Sequence, residues 1–288
     1  MSAVVAPELR VEPSRLRIAG LTATTLVCFA GNSLLCRAAL RPRLVDPATF
    51  TLVRVASGAV VLALLLAIGR RARPSGGTFA SALALFAYAA AFSLAYVRIG
   101  AGVGALLLFA AVQVTMVGWT AARGVRPRPL QWLGLAIALA GLAFLALPGA
   151  SAPDLGGSAL MLAAGAAWGV YSLRGRIARD PLSTTAHNFV LAAPLALALS
   201  VAFAPTASAT APGVALAVAS GALASGGGYS LWYAVVPVLG ATRAAAIQLA
   251  VPVLAGLGAT AFLGERLTAR VALAGATILA GIALTLRR

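Results

Sequence analysis

The chain has 288 residues, 61% of them hydrophobic and 10% charged, with a mean hydropathy of +0.98. A water-soluble protein of this length cannot bury so much apolar surface, because average apolar usage is about 45–50%. All 22 basic residues behind the net charge of +16 are arginine, set mostly in short clusters between apolar runs. That pattern marks membrane orientation and not a nucleic-acid surface.

Residues 1–17 are polar and mixed in charge, without a cleavable signal, and are expected to form a cytoplasmic tail. Ten apolar spans follow at 18–39, 47–69, 78–97, 101–122, 130–147, 155–174, 182–204, 212–235, 238–262 and 269–286. Most are about 20 residues long, the length a helix needs to cross the hydrocarbon layer. Prolines and glycines punctuate the joins, as helix breakers should. Cys28 and Cys36 both lie in the first span, so neither a disulfide framework nor a metal set is indicated, and no cofactor is expected.

With the N-terminus inside, fourteen arginines fall on the cytoplasmic side and five outside, so both termini are expected to be cytoplasmic. The sequence also repeats itself. FSLAYV at 92–97 leads into GALLLFAAVQV at 104–114, and YSLWYA at 229–234 leads into RAAAIQLAVPV at 243–253. Asp46-Pro47-x-x-x-Thr51 is echoed by Asp180-Pro181-x-x-x-Thr185. The expected fold is an all-α integral membrane protein: ten transmembrane helices as two repeats, 18–147 and 155–286. Five spans per repeat is odd, so the second copy enters from the opposite side. In secondary transporters such inverted repeats hold a substrate site between the halves and support alternating access.

Intramembrane polar groups are expensive and therefore informative. The six acids lie in the tail or at span ends, which leaves no obvious proton or sodium carboxylate. His187, early in the seventh span, is the only side chain there of a type that titrates near neutrality; an interhelical hydrogen bond is its preferred reading over ion coupling. Arg54 stands in the second span at the position that Asn188 holds in the repeat. It can meet a substrate carboxylate, or snorkel to the outer interface, which is preferred. Arg37 and Arg243, nearer span ends, are read as snorkelling or capping. Gln113 and Gln248, one per half, can serve a zwitterion or act as interhelical glue. Gln113 shares its helical face with Phe109, Met116 and Thr120.

Aromatic stripes suit aromatic or cationic substrates. Tyr88, Phe92 and Tyr96 form one; Tyr229, Trp232 and Tyr233 another; Trp168 lies with Tyr171 and Ser172. Tyr96 and Tyr233 fit interfacial anchors, leaving Tyr88, Trp168 and Tyr229 as cavity candidates. Ser225-Gly226-Gly227-Gly228 should loosen its helix or allow close backbone approach. Gly134, Gly141, Gly275 and Gly281 read as packing grooves between repeats. No metalloprotease motif, clustered Asp or Ser/His/Asp set is present, so an intramembrane enzyme is disfavoured.

Trp168-Gly169, Arg54, the AVPV at 250–253 and the LGERL at 263–267 with Gly275 and Gly281 after it resemble the drug/metabolite transporter superfamily. The likeness is to its ten-helix carriers of two EamA-type units, and within them to the YddG-type exporters of aromatic and other neutral amino acids. The first half departs from the pattern: Gln113 stands for the Pro, Ala30-Gly31 for Trp-Gly and Gly124-Val125-Arg126 for the Gly-Glu end. The resemblance implies a multi-pass carrier in a bacterial inner membrane, exporting amino acids by downhill movement or exchange, with a functional monomer and no nucleic-acid partner. The expected site comprises Tyr88, Phe92, Phe109, Gln113, Trp168, Tyr229 and Gln248, with Arg54, His187 and Asn188 as further polar contacts. A multidrug or cationic-drug exporter on the same fold is the alternative.

Overall fold

The computed structural model describes residues 15–69, 74–124, 128–147, 152–175, 178–239 and 247–287. Among them the regular structure is helical, with a single isolated antiparallel bridge between Val45 and Ala209. Seven helices lead: α1 (Arg15–Leu40), α2 (Pro47–Ile68), α3 (Phe79–Tyr96), α4 (Ala101–Ala122), α5 (Pro129–Ala146), α6 (Leu155–Gly175) and α7 (Pro181–Ala202). Then α8 (Ala211–Ala219), a π-helical stretch (Ser220–Gly227) and α9 (Gly228–Leu239) run on without a break, followed by α10 (Ala250–Leu263) and α11 (Ala269–Thr285). Among the described residues six stretches are long and apolar enough to cross a membrane: α1, α2, α3, Ala101–Trp119 of α4, α7, and Ala211–Val236. Pro129–Leu145, Ala250–Leu263 and Ala269–Thr285 are shorter apolar helices. The outward faces are apolar too, with Phe262, Ile68, Leu223 and Leu64 all exposed. This is a multi-pass membrane protein.

The boundary expected between 235 and 238 is absent, because α9 continues to Leu239. Arg243 lies outside the described residues, as do the side chains of Thr120 and Tyr233 and most of the 1–17 tail.

Local sequence sets the helix starts. Asp46 caps α2 by accepting from the backbone N–H of Ala48 (3.0 Å) and Thr49 (2.9 Å), with Pro47 in the first turn where its missing N–H costs nothing. Asp180 and Pro181 do the same for α7, the carboxylate accepting from Ser183 N at 3.2 Å. The repeated Asp-Pro is thus a repeated helix start. Asp46 also joins the halves: its N–H donates to Ser208 O (2.8 Å) and its Oδ2 accepts from Ser208 N (3.1 Å). Burial by itself would raise this carboxyl, but the hydrogen bonds from Thr49, Ser208 and Ala48 outweigh it and hold the group below the ordinary carboxylate value.

Helix packing comes in matched sets. α3 and α4 pack on α6, while the α8–α9 rod and α10 pack on α1. α2 lies against the π stretch and α8, as α7 lies against α3. α2 meets α7, α4 meets α10 and α5 meets α11. The last contact is glycine-lined: a Cβ on Gly134 would strike Gly281 O and Thr285 N, and one on Gly281 would strike Ala138 N. The expected packing groove is formed there, whereas Gly275 faces Leu106 of α4.

Candidate functional site

The interior is crossed by a continuous set of rings. Trp168 of α6 stacks on Tyr229 of α9, with centroids 5.4 Å apart and 25° between planes, and meets Tyr88 of α3 at 4.8 Å. Tyr88 leads to Phe92 (5.3 Å) and Phe92 to Tyr96 (4.6 Å). Phe29 of α1 and Phe189 of α7 close on Tyr229 edge-on at 5.8 and 6.0 Å. Offset and edge-on contacts of this kind are the favoured aromatic geometries. Each ring comes from a different helix or a different turn, so the cluster exists only in the folded bundle.

Arg54 of α2 enters this cluster and is only 2% exposed, which overturns the snorkelling expectation. Its guanidinium lies over the Tyr88 and Phe92 rings, 5.1 and 4.8 Å from their centroids. Nη2 donates to the Tyr88 hydroxyl at 2.9 Å and Nε to Ser225 Oγ at 3.4 Å. Nη1 is buried and has no hydrogen-bond partner. The Tyr88 hydroxyl also accepts from Asn32 Nδ2 at 3.3 Å, and Ser220 Oγ donates to Asn32 Oδ1. With two donors directed at its oxygen, the Tyr88 proton is left to point elsewhere. No carboxylate neutralises Arg54 among the described residues.

The π stretch makes this approach possible. It widens the helix at Ser220–Gly227 and lays Gly221 against the backbone of α2, where a Cβ would meet Arg54 O and Ser57 Oγ. The closest approach is thus at Gly221, just ahead of the Ser225–Gly228 segment singled out by sequence, in which Gly226 faces Gly58 O of α2, Gly228 faces Cys28 of α1 and Ser225 reaches Arg54. π-helical turns recur at functional sites.

Of the expected residues, the structure brings together Arg54, Tyr88, Phe92, Trp168 and Tyr229. Phe109 of α4 packs against both the large core cluster that holds the rings and the smaller one around Leu26, Ala30 and Val251. Gln113 does not join it: its Nε2 donates to Thr285 Oγ1 at 2.8 Å, tying α4 to α11. Gln248 sits half-buried just ahead of α10, and no hydrogen bond of the Arg54 cluster reaches it. His187 Nδ1 accepts from Gly77 N (3.1 Å) and Asn188 Oδ1 from Thr78 N (3.1 Å), so both hold the start of α3. Tyr96 is not an interfacial anchor. It is fully buried, with its ring against Gly104 and its hydroxyl donating to Ala101 O at 3.4 Å. Asn32, Phe29 and Phe189 were missed by sequence reading; Asn32, a lone amide within the first apolar run, was the available signal.

Arg37 is bound differently. Its Nε meets Glu265 Oε1 at 2.9 Å, and its Nη1 donates to Tyr96 O (2.7 Å) and Val97 O (3.2 Å) at the end of α3. Glu265 Oε2 accepts from Ala101 N at 2.8 Å, the first residue of α4. Gly264 just before it adopts φ 62°, a left-handed end to α10. The Gly-Glu pair of LGERL thus stops one helix and staples its end to two others.

Residues 155–287 match the EamA-like transporter family. Over 267 residues, 92% of this chain and 93% of the other, the sequence is 51% identical to a Pseudomonas aeruginosa protein named only as uncharacterized protein PA1977. A solved structure described simply as the crystal structure of a protein superimposes with a TM-score of 0.68 at 20% identity, covering 94% of this chain and 98% of that one, a likeness of fold alone. A buried polar centre inside an apolar helical bundle suits a carrier of small molecules, and residues 155–287 are a domain of the EamA-like transporter family.

Proposed function

We propose that the protein is a secondary transporter that exports amino acids, aromatic and other neutral ones, across the inner membrane by alternating access, as a monomer with both termini in the cytoplasm. The observation that carries this reading is Arg54: a buried guanidinium with no acidic partner among the described residues, one nitrogen unengaged, set among aromatic rings. A substrate carboxylate would accept from Arg54 Nη1 and from the Tyr88 hydroxyl, two donors already in place. Trp168, Tyr229 and Phe92 would take an aromatic or apolar side chain. The matched helix contacts and the paired Asp-Pro starts support an architecture of two five-helix repeats.

The rings are packed and the centre is closed, with Tyr88 and Tyr229 at 4% and 5% exposure, so loading requires the halves to part. The acids of the described helices sit at their ends: Asp46 and Asp180 cap helices, Asp154 Oδ1 accepts from Gly157 N at 2.7 Å, and Glu265 pairs with Arg37. That placement favours exchange or downhill movement over proton or sodium coupling. A drug-export reading draws on the same rings, which suit organic cations, but the charge at their centre is positive and opposes it.

Proteoliposomes preloaded with unlabelled phenylalanine test the reading. Labelled phenylalanine should accumulate saturably, indifferent to a proton gradient. Flux of a lipophilic cation with phenylalanine inert would overturn it.

A further inference from the structure

A cavity of about 420 Å³ lies where α3 begins, α6 ends and α7 begins. Its walls include Arg174, Arg179, Asp180, Ser81, Thr78 and Asn188. Arg174 Nε donates to Ser81 Oγ at 2.9 Å and its Nη2 to Thr78 Oγ1 at 3.1 Å, which fixes the guanidinium on the cavity wall. Arg179 stands exposed beside it. The Asp180 carboxylate, whose Oδ1 accepts from Ser183 N, completes a lining with two guanidinium groups and one carboxylate. The volume is in the range of small-molecule sites.

The cavity is aligned with the central cluster. On α6, Trp168, Tyr171 and Arg174 follow at three-residue steps, each beside the next, and Tyr88, Leu85 and Ser81 of α3 with its N-cap Thr78 do so at three- and four-residue steps. Six residues of helix rise separate Arg174 from Trp168, about 9 Å. Between them Tyr171 and Leu85 are buried, and the Tyr171 hydroxyl donates to Thr185 Oγ1 of α7 at 3.5 Å. The order along the bundle is therefore the charged cavity, the buried Tyr171 with its ring 5.4 Å from Trp168, then the rings with Arg54.

We propose that this cavity is a second, peripheral station for a zwitterionic amino acid, with Arg174 and Arg179 receiving the carboxylate and Asp180 facing the ammonium group. The inference rests on the central-site reading for its substrate class. A cargo molecule waits there until Tyr171 gives way, then moves inward from one guanidinium site to the next.

Equilibrium dialysis of labelled phenylalanine against the detergent-solubilised full-length protein tests it, with gel filtration to confirm that each variant is folded. Wild type should bind two molecules per chain, Arg54→Gln one, the Arg174→Gln/Arg179→Gln double variant one, and the triple variant none. Arg179→Gln alone, which breaks no internal hydrogen bond, should weaken only the peripheral station, by about tenfold for a lost charge contact. One molecule in wild type, lost in Arg54→Gln and kept in the double variant, overturns the peripheral station and leaves the central site standing. The reverse pattern keeps the cavity and sinks the central reading, and no binding to wild type overturns both.

Discussion

Arg37 and Arg54 are both withdrawn from solvent, and they are treated in opposite ways. Arg37 has a carboxylate at 2.9 Å and two backbone carbonyls, so its charge is compensated and its position is shared by α1, α3, α4 and α10. Arg54 has hydroxyls, ring faces and a nitrogen without an acceptor. Burying an unpaired cation is costly, and a purely structural role would have been served better by an apolar residue. The paired arginine fastens helices together; the unpaired one is held ready for an anion that arrives.

The largest effect should come from Arg54→Gln. Phenylalanine counterflow should fall at least a hundredfold, as expected when a charged contact to a carboxylate is removed. Thermal unfolding in detergent should move little, because the lost ring contacts are offset by removal of a buried charge. Marked destabilisation with transport retained would make Arg54 another Arg37.

Arg37→Gln should behave inversely. Leaving Glu265 half-buried without its partner should cost about 2 kcal/mol of stability, in line with hydrogen bonds to charged groups. The double variant Arg37→Gln/Glu265→Gln should regain most of it. A double-mutant cycle with no coupling would remove the pair's fastening role.

Gly221→Ala sharpens the contrast by moving Arg54 without changing its chemistry. The added methyl has no room against Arg54 O and Ser57 Oγ. The expected cost is about 1–3 kcal/mol from overpacking, with weaker phenylalanine binding. Unchanged unfolding and unchanged affinity would mean that the π stretch does not set the guanidinium's place.

The smallest effect concerns Asp46. Its folded-state pKa lies below that of the unfolded chain, so its contribution to stability is full above the unfolded value and is lost as pH falls through the folded one. Asp46→Asn should flatten that part of the acid unfolding curve while leaving neutral-pH transport intact.

Much of this was legible because the signal was local. The Asp-Pro pairs, read as a mark of the repeat, cap α2 and α7 through their own carboxylates, and Gly134 and Gly281 carry their reason in their missing side chains. The residues misread were those whose partners are remote. Gln113 finds Thr285, 172 positions away, and no spacing within α4 announces it. Tyr96 stands at a helix end, where an interfacial ring is the ordinary inference. Gly104 and the α1–α10 staple cover that end and make it interior. Arg54 was identified as a position, but its direction depends on which face of α2 meets α3 and the π stretch, a matter of assembly.

The π stretch has one more consequence. An α-helix advances its side chains by about 100° per residue, and the wider turn of a π-helix advances them less. Over Ser220–Gly227 the lag reaches more than roughly a quarter of a turn. The same residues wound as a plain α-helix would point Tyr229 away from Trp168, with no change in composition. The site's alignment is therefore a property of winding, which no inventory of its residues reveals.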